Sequence, residues 1–415
     1  MKKHRVLFLW MALSSIYGTA QTNNELFSNN SRIKYVSGQG LQVNFDDGNY
    51  LFGIRGFFQP FFSTEQVDTL ERFSRMTLER ARLDFYGEAK KERLSFMLKM
   101  DYTDDFALLD AYMGFHPGPF NIYMGQKHNQ VNNREMNNDE GYLTFLNRSL
   151  VSTTFSRDAR EFGLFIEPSF NVGGIVVNPV LSLTSGDGRN AFGADSRERI
   201  QGGFKYAARV DLLPFGEFAD NGQHYIQDLA REMDFKLAIG AAANRNVEAT
   251  HEVGEGSGDF LFRDENGDNL NANYDQLYID VLAKYQGFSA LVEYVSTRAQ
   301  ASEAIFTQTG TPITDENIAS FYALGDGINA QLGYLMSNGL SADVRFTQIM
   351  PEFEVANSLV QEQTQYTFSV GWYSQFRAFK VQYNGAYTEF SNVVEEGVNV
   401  EQTGWMHTLM TQIRF

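Results

Sequence analysis

The sequence predicts a transmembrane antiparallel β-barrel of about sixteen strands. Three observations predict it: period-2 alternation along most of the chain, tight turns taking turns with long polar loops, and a last strand that ends on an aromatic residue. In Arg93–Tyr102, Leu94, Phe96, Leu98 and Met100 fall on one face, and Arg93, Ser95, Met97, Lys99 and Asp101 on the other. Tyr366, Phe368, Val370 and Trp372 repeat the pattern. Such alternation gives a strand one apolar and one polar face.

In chain order, the first element is an export signal. Lys2, Lys3 and Arg5 precede an apolar run from Val6 to Ile16, and Gly18-Thr19-Ala20 supplies small residues for cleavage after Ala20. Residues 1–20 therefore read as a signal peptide, 21–49 as a short periplasmic segment, and 50–415 as the barrel. No later stretch is long and apolar enough for a membrane helix.

The barrel is read from its connections. Tight turns are predicted at Ala89–Glu92, His116–Pro119, Pro168–Phe170, Gln286-Gly287, Ser337-Asn338 and Arg377/Ala378. Long polar loops are predicted at 64–75, 128–158, 185–200, 245–273, 299–324, 350–363 and 391–403. Two connections break the rhythm, a short loop at Thr103–Phe106 and a longer turn at 214–231. Short turns on the periplasmic side and long loops outside are what a transmembrane barrel has. The chain closes on Phe415, a terminal aromatic of the kind that hands outer-membrane barrels to their assembly machinery.

Composition removes several classes. The formal charge is −17, which argues against a nucleic-acid binder. Cysteine is absent, excluding a thiol nucleophile, a Cys-ligated zinc site and an iron–sulfur cluster. His128, His251 and His407 lie far apart in sequence, and no nucleophile–base order points to catalysis. Gly254-Glu255-Gly256-Ser257-Gly258 has the look of a phosphate loop but lies in acidic surroundings with no helix after it. Asp264, Asn266, Asp268 and Asp275 have partial calcium-loop spacing, with Asn269 where glycine would be needed. No cofactor, metal or catalytic residue is predicted.

A family resemblance follows from an ordered set of short patterns. They are Gly53-Ile54-Arg55-Gly56-Phe57-Phe58-Gln59, Glu79-Arg80-Ala81-Arg82-Leu83, Leu109-Asp110-Ala111-Tyr112 and Met124-Gly125-Gln126-Lys127. Phe145-Leu146-Asn147-Arg148-Ser149, Arg160-Glu161-Phe162-Gly163 and Ala208-Arg209-Val210 continue the order, with Asn147 where an acidic residue would stand. Across residues 40–216 the chain resembles the phosphate-selective porin O and P family, in its Bacteroidetes-type form. The resemblance implies a trimeric outer-membrane porin for small hydrophilic solutes, in contact with outer-membrane lipid.

The third outer loop, 128–158, is the candidate constriction, with Lys127 at its base and Arg134, Arg148 and Arg157 within it. Glu135, Asp139, Glu140 and Asp158 match those four cations, so phosphate specificity, which needs several donors on one oxyanion, is left open. The alternation places twelve cations on the inner wall: Arg55, Arg80, Arg82, Arg93, Lys99, Lys205, Arg209, Lys236, Lys284, Arg345, Arg377 and Lys380. Eight acids join them: Asp84, Glu88, Asp101, Asp110, Asp211, Asp234, Asp280 and Asp343. That excess predicts a modest preference for anions over cations, with neutral solutes also passing. The rivals are a fatty-acid-type transporter of hydrophobic compounds and a closed-lumen scaffold for secretion or adhesion.

Overall fold

The computed structural model describes residues 32–36, 40–68, 71–105, 107–191, 203–374, 378–394 and 398–415. The predicted signal peptide and Arg377 lie outside the described residues. A first hairpin pairs β1 (Arg32–Val36) with β2 (Gly40–Phe45), inside the segment expected to precede the barrel. The barrel follows through β3 (Tyr50–Val67), β4 (Phe73–Ala89), β5 (Leu94–Asp101), β6 (Leu108–Phe115) and β7 (Ile122–His128). Next come β8 (Arg160–Ile166), β9 (Phe170–Val172), β10 (Ile175–Thr184), β11 (Lys205–Leu213) and β12 (Lys236–Asn246). The series ends with β13 (Asn273–Tyr285), β14 (Phe288–Gln300), β15 (Gly325–Leu335), β16 (Leu340–Pro351), β17 (Glu362–Tyr373), β18 (Phe379–Val394) and β19 (Val398–Arg414).

Each strand pairs antiparallel with its neighbour, and β19 returns to β3 through Gly404↔Val67 to Arg414↔Phe57. Phe415 completes the seam: its N–H donates to the Gly56 carbonyl at 3.0 Å, and its own carbonyl accepts from Gly56 N–H at 2.9 Å. β8 and β9 both pair with β10, so they act as one interrupted strand, and the barrel has sixteen. Below the seam, β2 pairs with the first residues of β3 and extends the short-turn end.

Three boundaries differ from the sequence reading. The turn expected at Pro168–Phe170 is an interruption within a strand. The chain reverses at Gly173-Gly174, where φ is 62° and 92°, a conformation that glycine adopts without Cβ strain. The supposed loops 64–75 and 391–403 are mostly strand, because β3, β4, β18 and β19 keep pairing beyond the apolar band.

The wall follows the alternation. Leu94, Phe96 and Leu98 face outward, and Lys99 and Asp101 are buried inside. On β13, Leu277, Ile279 and Val281 are exposed, whereas Tyr274, Tyr278, Asp280 and Lys284 are buried. Rings gather near both ends of the outer wall, with Phe288 against Tyr334 and Tyr387 against Trp405. An apolar exterior flanked by aromatic rings fits a lipid bilayer.

Candidate functional site

The interior is shaped by the third loop. Between β7 and β8 the chain turns inward and reaches the far wall. One apolar side of it packs Val131, Val151 and Phe155 against Val180, Tyr278, Val295 and Ile349. Burying side chains of this size contributes roughly 1.5–3 kcal/mol each, which draws the segment inward. Its helix Leu150–Phe155 is capped by Ser149, whose hydroxyl accepts from Ser152 N–H.

Charge fixes the rest of the loop. Arg134 donates to Asp280 at 2.6 Å and to Asp211 at 2.5 Å, and Arg209 joins the same carboxylates at 2.7 Å. Glu135 faces Arg345 at 3.4 Å and accepts from Gln331, Ser149 and Ser152. The Leu143 carbonyl accepts from Lys380, and the Gly141 carbonyl from Gln412. Burial raises the Glu140 carboxyl, but Arg82 and Arg148 outweigh it and hold the group well below its ordinary range. Asp139 behaves likewise: burial opposes the charge, and Lys99 at 2.6 Å holds the carboxyl low.

The cations singled out from sequence meet different fates. Arg55 pairs with Asp84, Arg82 with Asp101 and Glu140, Lys99 with Asp139, and Lys205 with Glu161. Lys127 pairs with Glu167 at 2.6 Å, and Arg345 also donates to the Asn147 carbonyl. Arg80 is held by Gln59 at 3.0 Å. Lys284 lies 1% exposed beneath the 214–235 connection, donating to the Gly222 and Gln227 carbonyls, so it does not border open lumen. Lys236 sits at the short-turn end on the Phe215 carbonyl. Arg157 is exposed, and Arg93 is exposed in a turn rather than on the inner wall.

Acids that the sequence count omitted also come inside. Glu161 and Glu293 are buried on the wall, at 1% and 0% exposure, and the third loop brings Asp139 and Glu140 against the cations. These acids lessen the excess of positive charge expected from the wall count.

Among the described residues, two adjoining chambers lie between the loop and the β3–β11 wall. One, of about 240 Å³, is bordered by four cations (Arg55, Lys99, Lys127, Arg160) and four acids (Asp110, Asp139, Glu140, Glu167). The other, of about 340 Å³, reaches the short-turn end past Asn121, Ser169 and Glu217. Tyr123, Gln130, Asn137, Asn138 and Glu167 border both.

A chain of hydrogen bonds that the sequence did not suggest supports this wall. Asn121 Nδ2 donates to the Glu167 carbonyl, so its Oδ1 faces His116 Nδ1 at 2.7 Å. The proton then sits on Nδ1, and Nε2 accepts from Ser95 Oγ at 2.8 Å. The His116 ring meets Tyr123 edge-on at 5.5 Å.

Outer loops roof the opposite mouth. Glu255 accepts from Ser156 Oγ at 2.5 Å and from the N–H groups of Arg157, Asp158 and Ala159 at 2.9–3.0 Å. The glycine-rich segment thus supplies an anion instead of cradling one. Asp275 binds Arg245 on the outer wall, away from Asp264, so the calcium-like residues do not converge.

No protein-family model and no curated protein sequence matches the chain. Solved structures do. An anion-selective porin from Comamonas acidovorans aligns at TM-score 0.53 and 11% identity, over 88% of this chain and 100% of that one. The outer membrane channel DcaP of Acinetobacter baumannii aligns at TM-score 0.53 and 9% identity, over 89% and 99%. The chain has a porin fold. OmpT, an outer membrane protein of Vibrio cholerae in a trimer form, is similar at TM-score 0.50 and 10% identity, over 88% and 99%. At these identities the likeness is one of porin fold alone.

Proposed function

We propose that the chain is an outer-membrane porin, a channel for passive diffusion of small hydrophilic solutes through a lumen narrowed by its third loop. The observation that carries this reading is the pair of polar-lined chambers between that loop and the wall of a barrel whose exterior is apolar. A polar interior lets a hydrated solute cross without entering hydrocarbon.

The matched charges of the smaller chamber favour weak ion selectivity over the anion preference expected from wall residues alone. Membership of the phosphate-selective porin O and P family rests on the ordered patterns of residues 40–216. Export with cleavage after Ala20, insertion into a Gram-negative outer membrane, assembly as a homotrimer and recognition of Phe415 by the assembly machinery belong to the same proposal. No catalytic role is assigned. A transporter for hydrophobic compounds is disfavoured, because charged and amide side chains border both chambers. Reconstitution into planar bilayers tests the reading: stepwise ionic conductance supports it, and a folded barrel that never conducts supports the closed-lumen scaffold.

A further inference from the structure

The connection between β11 and β12, residues 214–235, is long for the short-turn side of a barrel. It does not hang below the mouth. Phe218 and Ile226 pack against Val176, Leu213, Leu282 and Leu291. These four are inward positions of β10, β11, β13 and β14, where a water-filled lumen calls for polar side chains. Covering them holds the connection inside the barrel.

Polar contacts fix it to the wall. Lys284 on β13 donates to the Gly222 and Gln227 carbonyls at 2.8 and 2.9 Å. Asp228 accepts from the Gly287 N–H at 2.6 Å, and Gln227 Nε2 donates to Asp343 on β16 at 3.1 Å.

Inside the lumen the connection meets the third loop. Tyr225 and Tyr142 stack with ring centres 5.6 Å apart and planes at 18°. The Lys284 ammonium lies 4.2 Å from the Tyr225 ring centre, and the Arg414 guanidinium of β19 lies 3.6 Å from that of Tyr142. A row of cation, ring, ring and cation thus joins β13 to β19 through the lumen. The two chambers are bordered by β3–β11, the third loop and this connection, and by none of the described residues of β12–β19. Beyond the row, the inner wall is covered. Lys380 and Gln382 donate to the Leu143 and Thr144 carbonyls, and Ser341, Asp343 and Gln382 are each 2% exposed.

We propose that the β11–β12 connection is a periplasmic plug that, with the third loop, closes the β13–β19 side of the lumen and routes solutes along β3–β11. The inference rests on the porin reading and adds the path of a hydrated solute. Glu217, Gln223 and His224 of the plug border the larger chamber, so they line the exit from that path.

The chain has no cysteine, so a single introduced thiol reports its own surroundings. The test uses the full mature protein folded in lipid and a water-soluble methanethiosulfonate reagent. Mass spectrometry reads the labelling rate, and planar bilayers read the current. Asn178→Cys borders the larger chamber, whereas Ser341→Cys lies beyond the row. The first thiol should react readily and reduce the current. The second should react at least about tenfold more slowly, because it is reached only through local opening. Replacing residues 217–230 by a tight turn should bring its rate close to that at Asn178→Cys and raise conductance. Tyr225→Ala, which leaves the plug's other contacts in place, should shift both in the same direction by less. Equal labelling of the two thiols in the otherwise unchanged chain would overturn the plug. So would a folded, heat-modifiable barrel in which neither change alters labelling or conductance. A barrel that never conducts would overturn the porin reading, and with it the solute path, even where Ser341→Cys is protected.

Discussion

Arg134 in the third loop donates to Asp280 on β13 at 2.6 Å, joining residues 146 positions apart across the lumen. The same guanidinium reaches Asp211 on β11, and Arg209 closes the network from the wall. This cluster ties the loop to the wall formed by β11 and β13. It consumes cations that the sequence alone would give to permeating ions.

Replacing Arg134 tests that tie. Arg134→Met leaves Asp280 and Asp211 with one guanidinium between them. Breaking a buried pair destabilises by about 3–5 kcal/mol, so the loop should detach from this wall. Single-channel conductance should rise and become noisier. Unchanged conductance in a folded variant would mean that Arg134 does not set the width.

The hold of Glu135, Asp139 and Glu140 on the loop should be lost at low pH. Asp139, Glu140 and Glu135 are depressed carboxylates: burial opposes their charge, and neighbouring cations together with hydrogen bonds to Glu135 outweigh it. For depressed groups the stabilisation is complete above the unfolded-state values, about 3.9 for Asp and 4.3 for Glu, and is lost as pH falls through the lower folded values. If these three groups control the loop, conductance should hold from neutral pH to about pH 4 and change below it. A transition between pH 5 and 7 would assign the control to other groups.

Leu98 is an outward residue 37% exposed on β5. Leu98→Arg should lower barrel stability by about 2–4 kcal/mol if it lies near the bilayer midplane. Leu98→Ile should be tolerated. Urea titration of folding into lipid vesicles reads both, and equal midpoints would place Leu98 off the lipid face.

Glu255 gathers three backbone N–H groups and one hydroxyl at the mouth. Glu255→Ala leaves those donors unpaired, at about 1–3 kcal/mol for such a group. Limited proteolysis of intact cells should then cut within 247–272 several times faster than in the parent. An unchanged cleavage rate would show that the loop is held by its other contacts.

The architecture was largely legible because each signal is local. Alternation at Leu94–Met100 and Tyr366–Trp372 requires only neighbouring residues, and the order of short and long connections gave sixteen strands. The turn falls at Gly173-Gly174 and not at Pro168–Phe170, because the strand that Pro168 interrupts resumes at Phe170. The site was less legible, because its chemistry is made by pairs distant in sequence. Glu293 is absent from the acids assigned to the wall by alternation, yet it anchors the loop by accepting from Asn133 and from the Glu135 N–H at 2.7 Å. Lys284 alternated like a lumen residue and was covered by a connection whose path no periodicity reveals. Ser95, His116 and Asn121 carry no pattern that singles them out.

The most direct measurement is the reversal potential of the reconstituted protein across a tenfold KCl gradient. An open, loop-narrowed lumen with matched charges predicts stepwise conductance and a reversal potential near zero. A folded barrel without conductance would contradict the channel, and a reversal potential close to the chloride equilibrium value would contradict the charge matching.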